Sequence, residues 1–152
     1  MEDLIFDRTE QDIEEIAELK AIGFRNMTQG QKDKWMAGMK GALNARDLNR
    51  VDGYINYLYA RIEFEAADLK EDWEMTDLPT KPYFERLLVL VAQLRKDYVK
   101  HKTTPPVPKG PLTHFEKWND IEHILYDLYE IYQKNQEWKE YCGEVNSLGG
   151  II

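Results

Sequence analysis

The side chains here with the plainest chemical potential are three histidines, one cysteine and several closely spaced carboxylates. Asp120, His123 and Asp127 stand at i, i+3 and i+7, so on a helix they share one face and could ligate a metal. Metal sites in helical bundles draw paired ligand motifs from two helices, and neither His101 nor His114 sits in a second such motif. The trio therefore reads as a solvated polar face. Glu63 and Glu65, or Glu71, Asp72 and Glu74, could be taken as paired carboxylates. Residues two apart on a helix point to different sides, and nothing in their sequence surroundings marks a shifted pKa. Cys142 has no neighbouring histidine and lies in a glycine-flanked tail, which suits an incidental or structural thiol better than a nucleophile. No G-x-S-x-G, P-loop or dinucleotide glycine pattern occurs. The expectation is a protein that is not an enzyme, with no metal and no cofactor.

The charge distribution says more. The chain has 152 residues and a net charge of −8. Residues 1–19 hold eight acids against Arg8 alone, which leaves only −1 for the rest. Nucleic-acid binding needs clustered Lys and Arg, so no nucleic-acid partner is expected. One basic run exists, Arg95, Lys96, Lys100, His101, Lys102 and Lys109, interrupted by Asp97. It reads as a solvated helix end and loop, or as a docking surface for the acidic N-terminus of this or an adjacent subunit. No stretch approaches the ~20 apolar residues of a membrane span, and the acidic start lacks a basic leader. Intracellular synthesis without a membrane partner is the expectation.

These side chains must be positioned by helices, because the apolar spacing is helical almost throughout. Thr9 caps a first helix carrying Ile13, Ile16 and Ala17, and Gly23 stops it. Thr28 caps a short second helix with Trp35 and Met36, broken by Gly38 and Gly41. The third carries Leu48, Val51, Ile55, Leu58, Ile62 and Ala66. After a polar connector from Lys70 to Leu78, Thr80 and Pro82 open a fourth with Phe84, Leu87, Leu88, Val91, Leu94 and Tyr98. Four prolines make residues 103–112 an extended loop. Thr113 and Glu116 form a capping box for a fifth helix with Trp118, Ile121, Leu125, Leu128 and Ile131. Residues 137–152 read as an extended tail. The class is all-α: one domain of about five helices, comprising 1–102, the loop, a final bundle helix at 113–136 and the tail. The third, fourth and fifth helices should form an antiparallel core. Tyr126, Tyr129 and Tyr132 spiral round the last helix and cannot all face one small core, so they either line its rim or place part of the ring in a candidate interface. Ile13 and Ile16, with Arg95, Lys96, Lys100 and Lys102, complete the candidate contact surface.

Several of these segments carry a resemblance. Met36 to Val51 (MAGMKGALNARDLNRV) and Asp72 to Thr80 (DWEMTDLPT) resemble segments of uncharacterised tail- and baseplate-region proteins of phages and prophages of Gram-positive (Firmicutes) bacteria. The family's opening D-R-T-x-x-D corresponds to Asp7, Arg8, Thr9 and Asp12. Its W-x-x-G-x-K-G-A-x-N-x-x-D-L-N-R-V block corresponds to Trp35, Gly38, Lys40, Gly41, Ala42, Asn44, Asp47, Leu48, Asn49, Arg50 and Val51. Phe115, Glu116, Lys117, Asn119, Ile121, Glu122, Gly143 and Glu144 match its last part. Arg46 stands where the family often has threonine, so the cap of the third helix must come from Asn44 or elsewhere. The resemblance implies a virion structural protein, made in the bacterial cytoplasm and held by contacts with other virion subunits, with a homo-oligomer as one form. The alternative is a small acidic phage protein that blocks a host defence protein by presenting carboxylates to a basic groove. Within either reading, Asp47 and Arg50 would tie the long helix to a neighbouring loop, Gly38 and Gly41 would permit a bend, and Trp73, Asp77 and Pro79 would pin the connector.

Overall fold

The computed structural model describes the backbone of residues 1–147 and side chains through Cys142. It has five α-helices: α1 Glu10–Ile22, α2 Gln29–Ala37, α3 Ala45–Ile62, α4 Lys81–Asp97 and α5 Phe115–Ser147. A 3₁₀ turn, Phe24–Asn26, lies between α1 and α2, and the described residues contain no strand. The all-α helical bundle is as expected. Helix starts follow local chemistry. Thr9 and Asp12 cap α1, Thr28 and Gln31 exchange hydrogen bonds at the start of α2, and Thr80 precedes Pro82 at α4. Asn44 caps α3, its Oδ1 accepting from the Asp47 N–H at 3.2 Å while Asp47 Oδ2 accepts from the Asn44 N–H at 3.1 Å. Gly23 and Gly38 end α1 and α2 with φ of 78° and 88°, a region that favours glycine. A Cβ on Gly41 would run into the Asp12 carbonyl, so this glycine allows the bend to pass close under α1.

α3, α4 and α5 pack mutually around Val51, Ile55, Leu58, Leu87, Val91, Leu94, Ile121, Leu125 and Leu128, all fully buried. Leu90 and Ile124 join this core, while Ile62, Phe84, Leu88, Tyr98 and Ile131 are half-buried. Ala66 is exposed because α3 stops at Ile62. A separate small core, Leu19, Met27 and Met39 with Ile16 and Trp35, holds α1 and α2 together as a side lobe.

The three core helices run parallel, which corrects the antiparallel expectation. Tyr54 of α3 meets Tyr129 of α5 at 5.1 Å, and Tyr57 meets Tyr132 at 6.1 Å. Against α4, Asp52 pairs with Tyr83 and Tyr59 with Gln93. Residue numbers rise together in both pairs. The reason is the length of the connections, residues 63–80 and 98–114, far beyond the roughly 2–8 residues that join antiparallel neighbours. Each segment returns the full length of the bundle before the next helix starts.

Two further expectations are corrected. α5 opens at Phe115, where His114 O accepts the Lys117 N–H at 3.1 Å, so Thr113 lies one residue too early to cap it. The helix also continues to Ser147 where a tail from residue 137 was expected. The apolar pattern weakens there because this part of α5 has no bundle partner: Trp138 and Tyr141 are 67% and 60% exposed. Residues 148–152 lie outside the described residues.

The returning connector is held by two asparagines of α3, seven residues apart. Asn56 Nδ2 donates to Leu69 O at 2.8 Å and its Oδ1 accepts from the Leu69 N–H at 3.0 Å. Asn49 does the same to Trp73, at 3.0 and 2.6 Å. Asn56→Asp replaces the donating amide with a carboxylate facing a carbonyl and is expected to cost about 1–3 kcal/mol in urea unfolding, the price of an unmet buried polar group; an unchanged midpoint would show that the connector is held by other contacts. Leu58→Asp or Val91→Asp places an unpaired charge in a fully buried site and is expected to abolish the cooperative helical transition in circular dichroism.

Candidate functional site

Because α3, α4 and α5 are parallel, their starts define one end of the bundle, the head, and their far ends the tail. At the head, Arg8, Asp47, Arg50 and Glu122 meet in the interior, each less than a tenth exposed. Arg50 grips Glu122 with two bonds, Nε to Oε2 at 3.0 Å and a terminal nitrogen to Oε1 at 2.9 Å, and reaches Asp47 at 2.5 Å. Arg8 reaches the same Glu122 Oε1 at 2.8 Å and Asp47 at 3.1 Å. Its remaining donors go to the carbonyls of Ile5 and Lys40, and one also reaches Asn119 Oδ1 at 3.3 Å. The backbone N–H of Ile5 supplies Glu122 Oε2 at 2.6 Å. Two cations and two anions thus form a neutral, hydrogen-bonded set, the condition under which buried charge is tolerated. Burial alone would depress the Arg50 pKa, but Glu122 and then Asp47 outweigh it, and the pKa stands above the ordinary arginine value. Asn119 clamps Arg8 through its backbone, accepting from the N–H at 3.2 Å and donating to the C=O at 3.0 Å.

Beside this network, a trough of about 580 Å³ opens between α2, the start of α3 and the connector. Trp35, Met36, Tyr54, Trp73 and Met75 line it, with Met1 and Glu2 forming part of a wall. Met36 and Met75 are 55% and 72% exposed, an unusual place for methionine. Trp73 is fixed from below, since its indole N–H donates to Asp52 Oδ2 at 2.8 Å. Tyr83 donates to the other oxygen at 2.7 Å. Asp52 is fully buried without a cation: burial pushes its carboxyl up to about 6, against the two donated bonds, and Glu71 nearby adds to the rise.

No protein-family model, curated protein or solved structure matches this chain.

Asp120, His123 and Asp127 share one face of α5 as their spacing predicts, and the Glu63/Glu65 and Glu71/Asp72/Glu74 carboxylates lie away from them. His123 stacks on Phe6 at 4.7 Å and stands 3.6 Å from Asp127, which is buried and accepts the Thr104 hydroxyl at 2.5 Å. The described residues contain no cluster suited to a metal. Glu63 is raised by burial and by Asp97 of α4, a neighbour that spacing in sequence could not reveal. Cys142 is exposed.

The candidate contact residues divide. Tyr129 and Tyr132 belong to an internal aromatic cluster with Tyr54, Tyr57 and Tyr98, leaving Tyr126 as the exposed member of the three. Ile16 packs into the small core, and Ile13 is 37% exposed. Arg95 turns inward to the carbonyls of Pro105 and Thr104. Lys96, Lys100 and Lys102 remain exposed. The segment before α1 is held on its own chain through Arg8. The trough was missed because its walls come from three distant segments.

Two outcomes follow. Arg8→Ala leaves buried carboxylates short of a partner and is expected to cost about 3–5 kcal/mol with unchanged mass per particle in solution. Wild-type stability after Arg8→Ala would place the network outside the folding core. For Asp52, the folded pKa of about 6 exceeds the ordinary 3.8, so the folded state holds an extra proton between those values. Its contribution is therefore fully present below about pH 4 and is lost as pH rises through 6. Relative to Asp52→Asn, the wild-type protein should gain about 3 kcal/mol between pH 7.5 and 4, from roughly two pKa units at 1.36 kcal/mol each. A constant gap between the two melting curves across that range would show an ordinary carboxylate.

Proposed function

We propose that this chain is a structural subunit that works through protein–protein contacts, a phage tail or baseplate component present in several copies and located in the virion. The observation that carries the reading is the use made of the charged residues behind the phage resemblance. Arg8, Asp47, Arg50 and Glu122 come from three distant segments and are spent on one internal network that locks the N-terminal segment to the bundle. Such residues build a shape instead of converging on an open polar site. What the trough and the projecting end of α5 then offer is apolar and aromatic, the composition of interface centres. Its partners would be other virion proteins, with neither nucleic acid nor membrane among them. No described helix is long and apolar enough to cross a membrane.

A second reading, an acidic inhibitor of a host defence protein, draws on one specific feature. Glu10, Glu14 and Glu18 form an exposed stripe on α1 without an ion-pair partner among the described residues. Mass spectrometry of purified particles separates the two readings. The virion assignment expects peptides of this chain in the particle peak at a constant ratio to known tail proteins. Recovery from the soluble lysate alone, bound to a host protein, would replace it with the second.

A further inference from the structure

We infer that the head end of the bundle docks the tail end of a second copy of this chain. The inference rests on the reading of the chain as a multi-copy structural subunit. At the head, the trough presents Trp35, Met36, Trp73 and Met75 as an apolar floor with adaptable thioethers. Its connector side is acidic. Glu71, Asp72 and Glu74 flank Trp73, all exposed, and none is ion-paired among the described residues. Glu2 on the opposite wall is engaged by Arg46 at 2.8 Å.

The tail carries the opposite set. Lys96, Lys100, His101 and Lys102 are exposed around the turn that leaves α4 and outnumber the acids at that end, Asp97 in the same turn and Glu63 and Glu65 just after α3. Asn135 of α5 donates to the Tyr98 hydroxyl at 2.9 Å, which ties this basic turn to the root of the projecting end of α5. One turn further on, Trp138 and Tyr141 stand edge to face, 6.2 Å apart and largely exposed. A basic turn and an aromatic pair thus share one end, while an acidic rim and a Met/Trp trough share the other.

The same chain cannot join the two. Trp138 lies sixteen residues along α5 from Glu122, about 24 Å at 1.5 Å per residue. The occupant is therefore the tail of another copy, with the aromatic pair filling the trough and the lysines meeting Glu71, Asp72 and Glu74. Head and tail are different surfaces, so the contact is heterologous and continues into a ring or filament instead of closing as a two-fold dimer.

Charge exchange on exposed residues tests this with the full chain. The head variant is Glu71→Lys with Glu74→Lys, and the tail variant is Lys96→Glu with Lys102→Glu. Light scattering at low salt should show the wild type growing beyond a dimer. Association should collapse toward 1 M salt, where the screening length falls to roughly 3 Å. Each variant alone should be monomeric with an unchanged helical spectrum. Mixed in equal amounts, they should grow beyond a dimer again, because the working tail of the head variant meets the working head of the tail variant and the two reversed ends are once more opposite in charge. Trp138→Ala, which leaves every charge in place, should also weaken wild-type growth. A wild type that stays monomeric at its solubility limit, a two-fold dimer, either variant assembling alone like the wild type, or a mixture that stays monomeric would each overturn the contact. Absence of the chain from purified particles would remove the virion assignment and leave this result untouched.

Discussion

Three parallel helices cannot be joined by short turns, and this one constraint governs the rest of the structure. Between each helix and the next, an extended segment must lie along the bundle, and its backbone N–H and C=O groups have no strand to pair with. Buried backbone groups left unpaired are costly, so the helices themselves must supply partners. Asparagine suits the task because a single amide carries a donor and an acceptor side by side. Asn56 serves Leu69, Asn49 serves Trp73 and Asn119 serves Arg8, each bonding both backbone groups of one residue. The pattern resembles a one-residue sheet contact made by a helix side chain. Aspartate would lose the donor, and leucine would lose both.

The charged network follows from the same arrangement. The N-terminal segment crosses the head of the bundle, where the starts of α3 and α5 lie side by side. Arg8 enters between Asp47 and Glu122, which Arg50 alone would leave with one excess negative charge. With Arg8 in place the set is neutral, and the carbonyls of Ile5 and Lys40 take up its other donors. The net gain over an apolar core of similar volume is small by general experience with buried ion pairs. What the network adds is selectivity, since only this register of the N-terminal segment satisfies all four charges. Asp52 represents the opposite solution, a buried carboxylate held by neutral donors and no cation, with a raised pKa as the consequence.

Local signals were legible and long-range ones were not. Thr9, Gly23, Thr28, Gly38, Asn44 and Thr80 mark helix ends through chemistry confined to a few residues, and the Leu/Ile/Val stripes of α3, α4 and α5 mark the core. Helix direction is a different kind of property. It depends on what the connectors do, and the composition of Lys70–Leu78 and of 103–112 does not show that the full 63–80 and 98–114 connections run back along the bundle. The network was half visible, since Asp47 and Arg50 are one turn apart, but its other half required Arg8 to be brought across 39 residues and Glu122 across 72. The tyrosines of α5 left two readings open for a related reason. Tyr129 and Tyr132 flank an apolar stripe that α3 covers with Tyr54 and Tyr57, so the core accepts aromatic rings on a wider arc than one helix suggests. The end of α5 failed differently: apolar periodicity reports burial, and a helix that leaves the bundle loses the periodicity before it loses the helix.

Parallel packing also gives the molecule a direction that an antiparallel bundle would cancel. All three helix starts, with the N-terminal segment and the connector end, lie at the head, which brings Glu2, Asp3, Glu71, Asp72 and Glu74 to that end. All three helix ends lie at the tail, where the turn after α4 concentrates lysine. Alternating helices would have mixed these segments and left each end with similar chemistry. The clamp on Trp73 makes the difference usable, because a wall held at Asn49 and Asp52 keeps the trough open instead of letting the connector collapse into it. A bundle with unlike ends and a preformed apolar recess at one of them has the asymmetry that a heterologous, head-to-tail contact requires.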